Sequence, residues 1–371
     1  MHKIIHIVDY PQGNPWIEHQ MMYFLSHGIN QGLISINSDG ELLKNLRQRN
    51  FTEIYKCRFN VLGFLLVGNQ IIKDSNHFKQ ILYAHGHKPS IMALVLKLIF
   101  GLDYVIAHHH PPRWIDMFQE KHKYRGRYHQ FLRDKYYKHA LAIQAFSIEV
   151  QEFLEKRGGL NERILAIPLG VDFDRFKGKL QNKSPNERPK GKLRILTVSR
   201  LAWEKRIELC LEFAHELSQL DFDFEYSIIG DGPLMKDLVK KRDELELQRK
   251  VRLLGWIDNI DDFYKSHDVL LHLSATESFG QVILEARLHG LSVLTSPCGI
   301  AFDMAKINDS GFHILSSIEP HFIAKEMVRI SKIDMSKNYE QNTLDIYRKQ
   351  EFFQVQERLR LAITEMFDAF I

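Results

Sequence analysis

Short apolar runs alternate with stretches in which apolar residues recur every third or fourth position, and the alternation repeats in both halves of the chain. In the first half the pattern predicts strands at 4–8, 33–36, 81–84, 104–108, 141–146 and 164–167. Helical patterns lie between them at 16–29, 62–72, 89–100 and in a long basic segment up to Ala140. The second half predicts strands at 193–198, 224–229, 251–254, 269–273, 292–295 and 312–315, with helices at 204–220, 233–246, 260–267 and from about Phe279. After Glu319 the pattern is helical, and a last helix at 352–370 is expected to pack back on the first half. Strand–helix alternation of this kind argues for doubly wound parallel sheets, whose ligands bind at the carboxyl ends of the strands. Residues 177–192, rich in Lys, Asn and Pro, read as a linker. The expected division is therefore a first domain over 1–170, a linker over 171–192, a second domain over 193–350 and a returning helix over 351–371.

Composition narrows the class. A chain of 371 residues with 44% apolar content supports two cored domains. A formal charge of +4 does not by itself imply nucleic acid. Cys57, Cys210 and Cys298 are far apart and lack zinc spacing, so they read as reduced thiols of a cytosolic protein. The most apolar run, 91–102, is too short to span a bilayer.

The stretch with the most chemical content is 276–290, T-E-S-F-G-Q-V-I-L-E-A-R-L-H-G, in which a buried strand leads through a polar turn into a helix. The first turn of a helix has amide donors without intrahelical partners and suits a phosphate. Glu277 before the helix and Glu285 two turns along would repel bare phosphate. They suit a diphosphate flanked by sugars whose hydroxyls a carboxylate accepts, which describes a nucleotide sugar. Arg200 follows the strand 195–199, and Lys205 opens the next helix, so both stand at the same sheet edge as Glu277. Two cations there would balance a diphosphate; a plain surface pair is the alternative. Gly230-Asp231-Gly232 lacks the third glycine of a dinucleotide fingerprint and reads as a tight turn, not an NAD site.

In the first half, Gly13 in the loop after the first strand fits either a backbone approach to a ligand or an ordinary turn. His108-His109-His110 stand at the end of the fourth predicted strand, with no acidic or histidine partner at metal spacing. A histidine that hydrogen-bonds a sugar is the better reading. The segment 121–139 holds seven Lys/Arg against Asp134, interleaved with aromatic residues. It fits an anionic membrane surface or a solvated helix face.

Taken together, V-S-R-L-A-W-E-K (198–205), I-I-G-D-G-P-L (228–234), L-L-G-W-I (253–257), E-S-F-G-Q-V-I-L-E-A (277–286) and I-P-L-G-V-D-F-D-R-F (167–176) resemble the signature series of glycosyltransferase family 4. The resemblance spans nearly all of the second half and is weaker over 1–150. It implies the GT-B fold, two Rossmann-like domains with parallel sheets facing a central cleft, and a retaining, metal-independent transferase without a cofactor. Arg200 and Lys205 would neutralise the departing diphosphate, and amides of Phe279, Gly280 and Gln281 would hold a phosphate beside Ser278 and Ser199. Glu285 would accept from the ribose and Glu277 from the donor sugar, while Trp256 and Ile257 would meet the base. His109, with His110 as the alternative, would touch the sugar, and Gly13 would line the donor site. The implied donor is a UDP-sugar rather than a GDP-sugar. The implied acceptor is a glycolipid, polysaccharide or other envelope saccharide, at the cytoplasmic membrane face and without nucleic acid. The first loop departs from the family in lacking paired glycines. A sugar-nucleotide epimerase on the same fold and a non-catalytic nucleotide-sugar-binding subunit are the competing readings.

Overall fold

A computed structural model describes residues 2–9, 15–37, 40–74, 79–109, 111, 123–157, 161–170, 192–306, 309–332 and 352–368. It divides into two compact units, 1–170 with 352–371 and 171–351. Gly13, His110 and the expected linker, apart from Lys192, lie outside the described residues.

The first unit is a sheet of parallel strands in the order β3-β2-β1-β4-β5-β6-β7. These are β1 His2–Val8, β2 Asn30–Ile36, β3 Ile54–Cys57, β4 Lys79–His85, β5 Asp103–His108, β6 Ala142–Ala145 and β7 Ile164–Ala166. The helices between them are α1 Pro15–Ser26, α2 Glu41–Gln48, α3 Val61–Lys73, α4 His87–Phe100, α5 Lys123–His139 and α6 Ile148–Lys156. Side chains alternate across a strand, so β1 sends Ile5 and Ile7 into the core beneath α3–α6 while Val8 joins Ile17, Leu42 and Leu46 under α1 and α2. Three elements escape the sequence pattern: α2, β3 and α6. Edge strand β3, four residues long with only Tyr55 buried, is too short to show a pattern of its own.

The second unit repeats the plan in the order β10-β9-β8-β11-β12-β13, again all parallel. Its strands are β8 Leu193–Val198, β9 Phe224–Ile229, β10 Val251–Leu253, β11 Val269–His272, β12 Ser292–Thr295 and β13 Phe312–Ile314. Its helices are α7 Ile207–Gln219, α8 Met235–Glu244, α9 Asp261–Ser266, α10 Gln281–Leu288, α11 Ala301–Met304 and α12 Pro320–Ser331. α7 and α12 share one apolar cluster against the sheet, and Cys210 sits wholly buried within it.

The last helix, α13 Phe352–Asp368, belongs to the first unit. Gln356 accepts from Gln20 at 2.9 Å and Glu357 from the Tyr23 hydroxyl at 2.8 Å, while Lys79 donates to the carbonyl of Phe367 at 2.8 Å.

Candidate functional site

The carboxyl ends of β8 and β11 bring the charged candidates together. β8 delivers Ser199 and Arg200, and a single 3-10 turn, Trp203–Lys205, carries Lys205 back beside the end of β11. This short turn replaces the start of the helix expected at 204–220. Arg206 takes a left-handed φ of 51° and so separates the 3-10 turn from α7.

Glycine sequence chemistry holds the Arg200 loop in place. A Cβ on Gly230 would lie 1.8 Å from the Ser199 carbonyl oxygen, and one on Gly232 would lie 2.4 Å from that of Leu201. The amide of Leu201 donates to Asp231 O at 2.9 Å, and that of Gly230 donates to Gly255 O at 2.8 Å. The G-D-G turn is thus a clamp that needs bare backbone, and it links the Arg200 loop to the loop of Trp256 and Ile257. Trp256 is 75% exposed there, its indole N–H donating to Asp258 at 2.7 Å.

The loop after β11 is held from the other side. Ser296 Oγ donates to Ser274 O at 2.6 Å, and the Ile300 amide donates to Phe279 O at 2.7 Å. A Cβ on Gly299 would meet Phe279 O at 2.5 Å. The Ala275 amide donates to the carbonyl of Glu204 at 2.7 Å, which ties the Lys205 turn to the Glu277 loop. Helix α10 begins at Gln281, two residues later than its pattern predicts, because Gly280 turns at φ 93° and Phe279 is buried under the turn.

Within this frame the cations do not stand alone. Lys205 forms an ion pair with Glu277, and Arg200 with Glu204. Glu277 also accepts from Ser274 Oγ at 3.0 Å and lies 3.1 Å from His272 Nε2. Burial alone would push the Glu277 carboxyl up, but Lys205 and His272 outweigh it and bring it down to about 2. Arg200 remains 65% exposed while Glu204 is buried, so its guanidinium is tethered by one end and open at the other. The Oγ of Ser199 and the Oγ1 of Thr276 are buried without a hydrogen-bond partner among the described residues. Buried hydroxyls rarely stay unpaired, so both are placed to meet a ligand or water. Phe279 and Glu285 are buried, whereas Gln281 is exposed at the helix start. Glu285 accepts from the Tyr264 hydroxyl at 2.9 Å and from Gln281 Nε2 at 3.0 Å. Sequence reasoning overlooked His272, Ser274, Thr276 and Tyr264. Ser274 and Thr276 stand in plain view in the polar turn, but β11 hides His272 among leucines.

In the first unit a different edge forms. His6 Nδ1 lies 2.9 Å from His85 Nε2, and His6 Nε2 lies 2.9 Å from Gln31 Oε1. Burial lowers the His6 imidazole to about 4, only partly offset by Gln31, and pushes His85 well below its usual range. His109 packs edge-on to Phe146 at 5.1 Å and to His85 at 5.7 Å, with the Trp16 ring 5.5 Å away. His108 points the other way, buried and hydrogen-bonded to the Tyr137 hydroxyl. The structure thus separates the neighbours: His108 is core, and His109 joins a group of neutral and aromatic rings from α1, β4 and the ends of β5 and β6. Among the described residues no three His, Cys, Asp or Glu cluster as metal ligands do.

Comparison with known proteins places this geometry. Residues 179–344 match the family model "Glycosyl transferases group 1". The chain is 31% identical over 140 residues to the phosphatidylinositol N-acetylglucosaminyltransferase gpi3 subunit of Schizosaccharomyces pombe, covering 37% of this chain and 30% of that protein. It is 30% identical over 186 residues to a UDP-Gal:alpha-D-GlcNAc-diphosphoundecaprenol alpha-1,3-galactosyltransferase of Escherichia coli, covering 47% and 48% respectively. The matches therefore span less than half of either relative's length. The fold superimposes on Anabaena HepE in complex with UDP and glucose with a TM-score of 0.77 at 17% identity, over 98% of this chain and 100% of that one. The family match thus falls within the second unit, and the two-sheet fold is that of HepE.

Proposed function

We propose that the chain transfers a sugar, with retention at the anomeric carbon and without a metal, from a nucleotide sugar to a saccharide or lipid-linked acceptor. The observation that carries this reading is the Lys205–Glu277 pair set beside the start of α10, with the tethered Arg200 on the adjoining loop. Breaking the bond between the anomeric carbon and the diphosphate leaves its electron pair on a phosphate oxygen. Arg200, Lys205 and the first-turn amides beside Gly280 are donors for that charge, and donors fixed in advance lower the barrier most. The acceptor hydroxyl bonds to the same face of the sugar and passes its proton to the departing oxygen. Glu277, ionised and held by Lys205, Ser274 and His272, accepts from donor-sugar hydroxyls. Glu285 accepts from the ribose, and Trp256 and Ile257 meet the base. In the first unit, His109 contacts a sugar.

UDP is the preferred nucleotide in this reading. The Escherichia coli relative's name specifies a UDP-Gal donor and an alpha-D-GlcNAc-diphosphoundecaprenol acceptor, and the HepE structure holds UDP and glucose. The Escherichia coli relative's name also favours an acceptor anchored in a membrane, with the basic segment 121–139 in peripheral contact at the cytoplasmic face. No described helix is long and apolar enough to cross a membrane. Incubation with labelled UDP-, GDP- and ADP-sugars, with the released or transferred anomer read by NMR, tests the proposal. Retention with UDP-sugars supports it. Interconversion of the sugar nucleotide would indicate an epimerase, and binding without turnover would indicate a non-catalytic subunit.

A further inference from the structure

The face of the first unit formed by α3, α4 and α5 is unlike every other surface described. Val61, Leu62 and Leu66 on α3 are 66%, 65% and 62% exposed, Leu98 on α4 is 68% exposed, and Tyr128 and Phe131 on α5 are 62% and 57% exposed. Isolated exposed leucines are ordinary, but a group on neighbouring helices marks a binding surface. The three helices are neighbours in the fold and share the core beneath them. Gly68 brings α3 against the end of α4, since a Cβ there would fall 2.2 Å from the Phe100 ring. On the opposite face of the same sheet, α1, α2 and α13 expose only Leu25 and Leu361 among large apolar residues described.

Charge identifies what covers this face. The sequences of α3, α4 and α5 contain nine Lys/Arg (73, 88, 97, 123, 125, 127, 133, 135 and 138) and one acid, Asp134; of these Arg133 is buried, and Lys88 and Lys97 pair with Asp9 and Asp103. Arg127, Lys135 and Lys138 are exposed, and Lys135 lies 5.4 Å over the Phe131 ring, a basic head beside an apolar one. A second copy of the chain docked symmetrically would set this basic face against itself. An anionic bilayer instead meets both features, taking up leucine and aromatic side chains at the headgroup boundary and attracting the cations. Helix α6, with Glu149, Glu152 and Glu155, marks where the basic character ends.

We infer that the chain rests on anionic lipid through a three-helix face in which α3 and α4 supply the apolar contact and α5 supplies charge and aromatic rings. This rests on the proposed membrane contact of 121–139 and extends it to a defined surface. The test is flotation of the full chain with phosphatidylcholine vesicles and with phosphatidylcholine vesicles containing phosphatidylglycerol, at low and high salt, with no donor or acceptor present. Wild type is expected to float with the anionic vesicles and to lose much of that binding in high salt. The exposed pair Leu66→Gln and Leu98→Gln should lower the partition coefficient by at least about tenfold even at low salt. Arg127→Glu with Lys135→Glu should lower it by about tenfold and remove the preference for phosphatidylglycerol. If the charge variant loses binding while the leucine variant floats like wild type, the 121–139 contact stands and the three-helix face falls. Absence of flotation, equal binding to neutral vesicles, or a dimer in sedimentation that the leucine variant dissolves would overturn the inference. Turnover of nucleotide sugar, measured separately, decides the transferase reading whatever the vesicles show.

Discussion

Two sheets of the same strand order present opposite chemistry at their carboxyl edges. The first gathers Trp16, His85, His109 and Phe146, with the imidazoles of His6 and His85 held neutral by burial. The second gathers Arg200, Glu204, Lys205 and Glu277 as ion pairs, beside the start of α10. The architecture puts loops at an edge; what those loops do depends on whether the strand ends deliver rings or charges. A neutral aromatic edge suits the apolar faces and hydroxyls of a saccharide, and a paired edge suits a ligand that brings its own charge. In the proposed reading a diphosphate must compete with Glu204 and Glu277 for these cations. The carboxylates hold both long side chains in place.

The largest break in this comparison is expected away from the loops, at the support of the charged edge. Arg287 and Asp309 are a fully buried pair, with bonds of 2.8 and 2.7 Å from Nε and Nη2, and Gly311 leaves room for the guanidinium. Arg287→Met strands a buried carboxylate and should destabilise the second unit by about 3–5 kcal/mol. Denaturant unfolding followed by a probe in each unit checks it; equal loss in both units would show that the pair is not local to the second.

Next in size is Lys205→Met. Loss of one donor to the leaving group should cost roughly 3 kcal/mol, about a hundredfold in kcat. Glu277 also loses the cation that most lowers its carboxyl, so activity should shift to higher pH. Steady-state rates across pH measure both, and an unchanged rate would remove Lys205 from the proposed mechanism. Trp16→Leu, at the neutral edge, should leave that pH profile in place, since no charge there is altered.

These effects also show how far the sequence could be read. Both sheets, the candidate cations and the carboxylates were legible, because buried parallel strands read as apolar runs and charged residues at their ends stand out. The pairing of those charges was not legible, since Lys205 and Glu277 are 72 positions apart and meet only through the β8–β11 neighbourhood. The aromatic edge was read in part. The run His108–His110 stands out by its place after a strand, and only the family resemblance singles out His109 within it, whereas Trp16, His85 and Phe146 each resemble core residues in isolation. His6 reads as part of a strand because nothing local shows that its partner lies in β4.

A smaller effect is expected at Glu285, where sequence reasoning placed a ribose contact and the structure adds two protein donors. Tyr264→Phe removes one hydrogen bond to a carboxylate and should cost about 2 kcal/mol of stability. If Glu285 serves the ribose, UDP binding measured by calorimetry should weaken in the variant, because the carboxylate is no longer oriented. Unchanged UDP affinity would leave Tyr264 a purely structural partner.

The mildest perturbation, acidification, compares the two edges directly. His6 falls from its ordinary 6.5 to about 4 on folding, so the unfolded chain binds the proton more readily between those values. Its contribution is complete above about pH 6.5 and is lost as pH falls toward 4; moving from pH 7 to 5.5 should cost about 1 kcal/mol. His85 adds to the loss in the same direction. Glu277 acts in the same direction over a lower window: its carboxyl is depressed from 4.5 to about 2, so its contribution persists down to about pH 4.5 and is lost as pH falls toward 2. His267 and His313, both lowered by burial, weaken the second unit in the histidine window as well. Bulk stability therefore cannot separate the edges, and site-resolved titration must. NMR of histidine-labelled protein should show the His6 ring still neutral at pH 5.5. A His6 signal titrating near 6.5 would mean that the buried His6–His85–Gln31 chain is open to water, and the contrast between a neutral edge and a charged one would fail at its first residue.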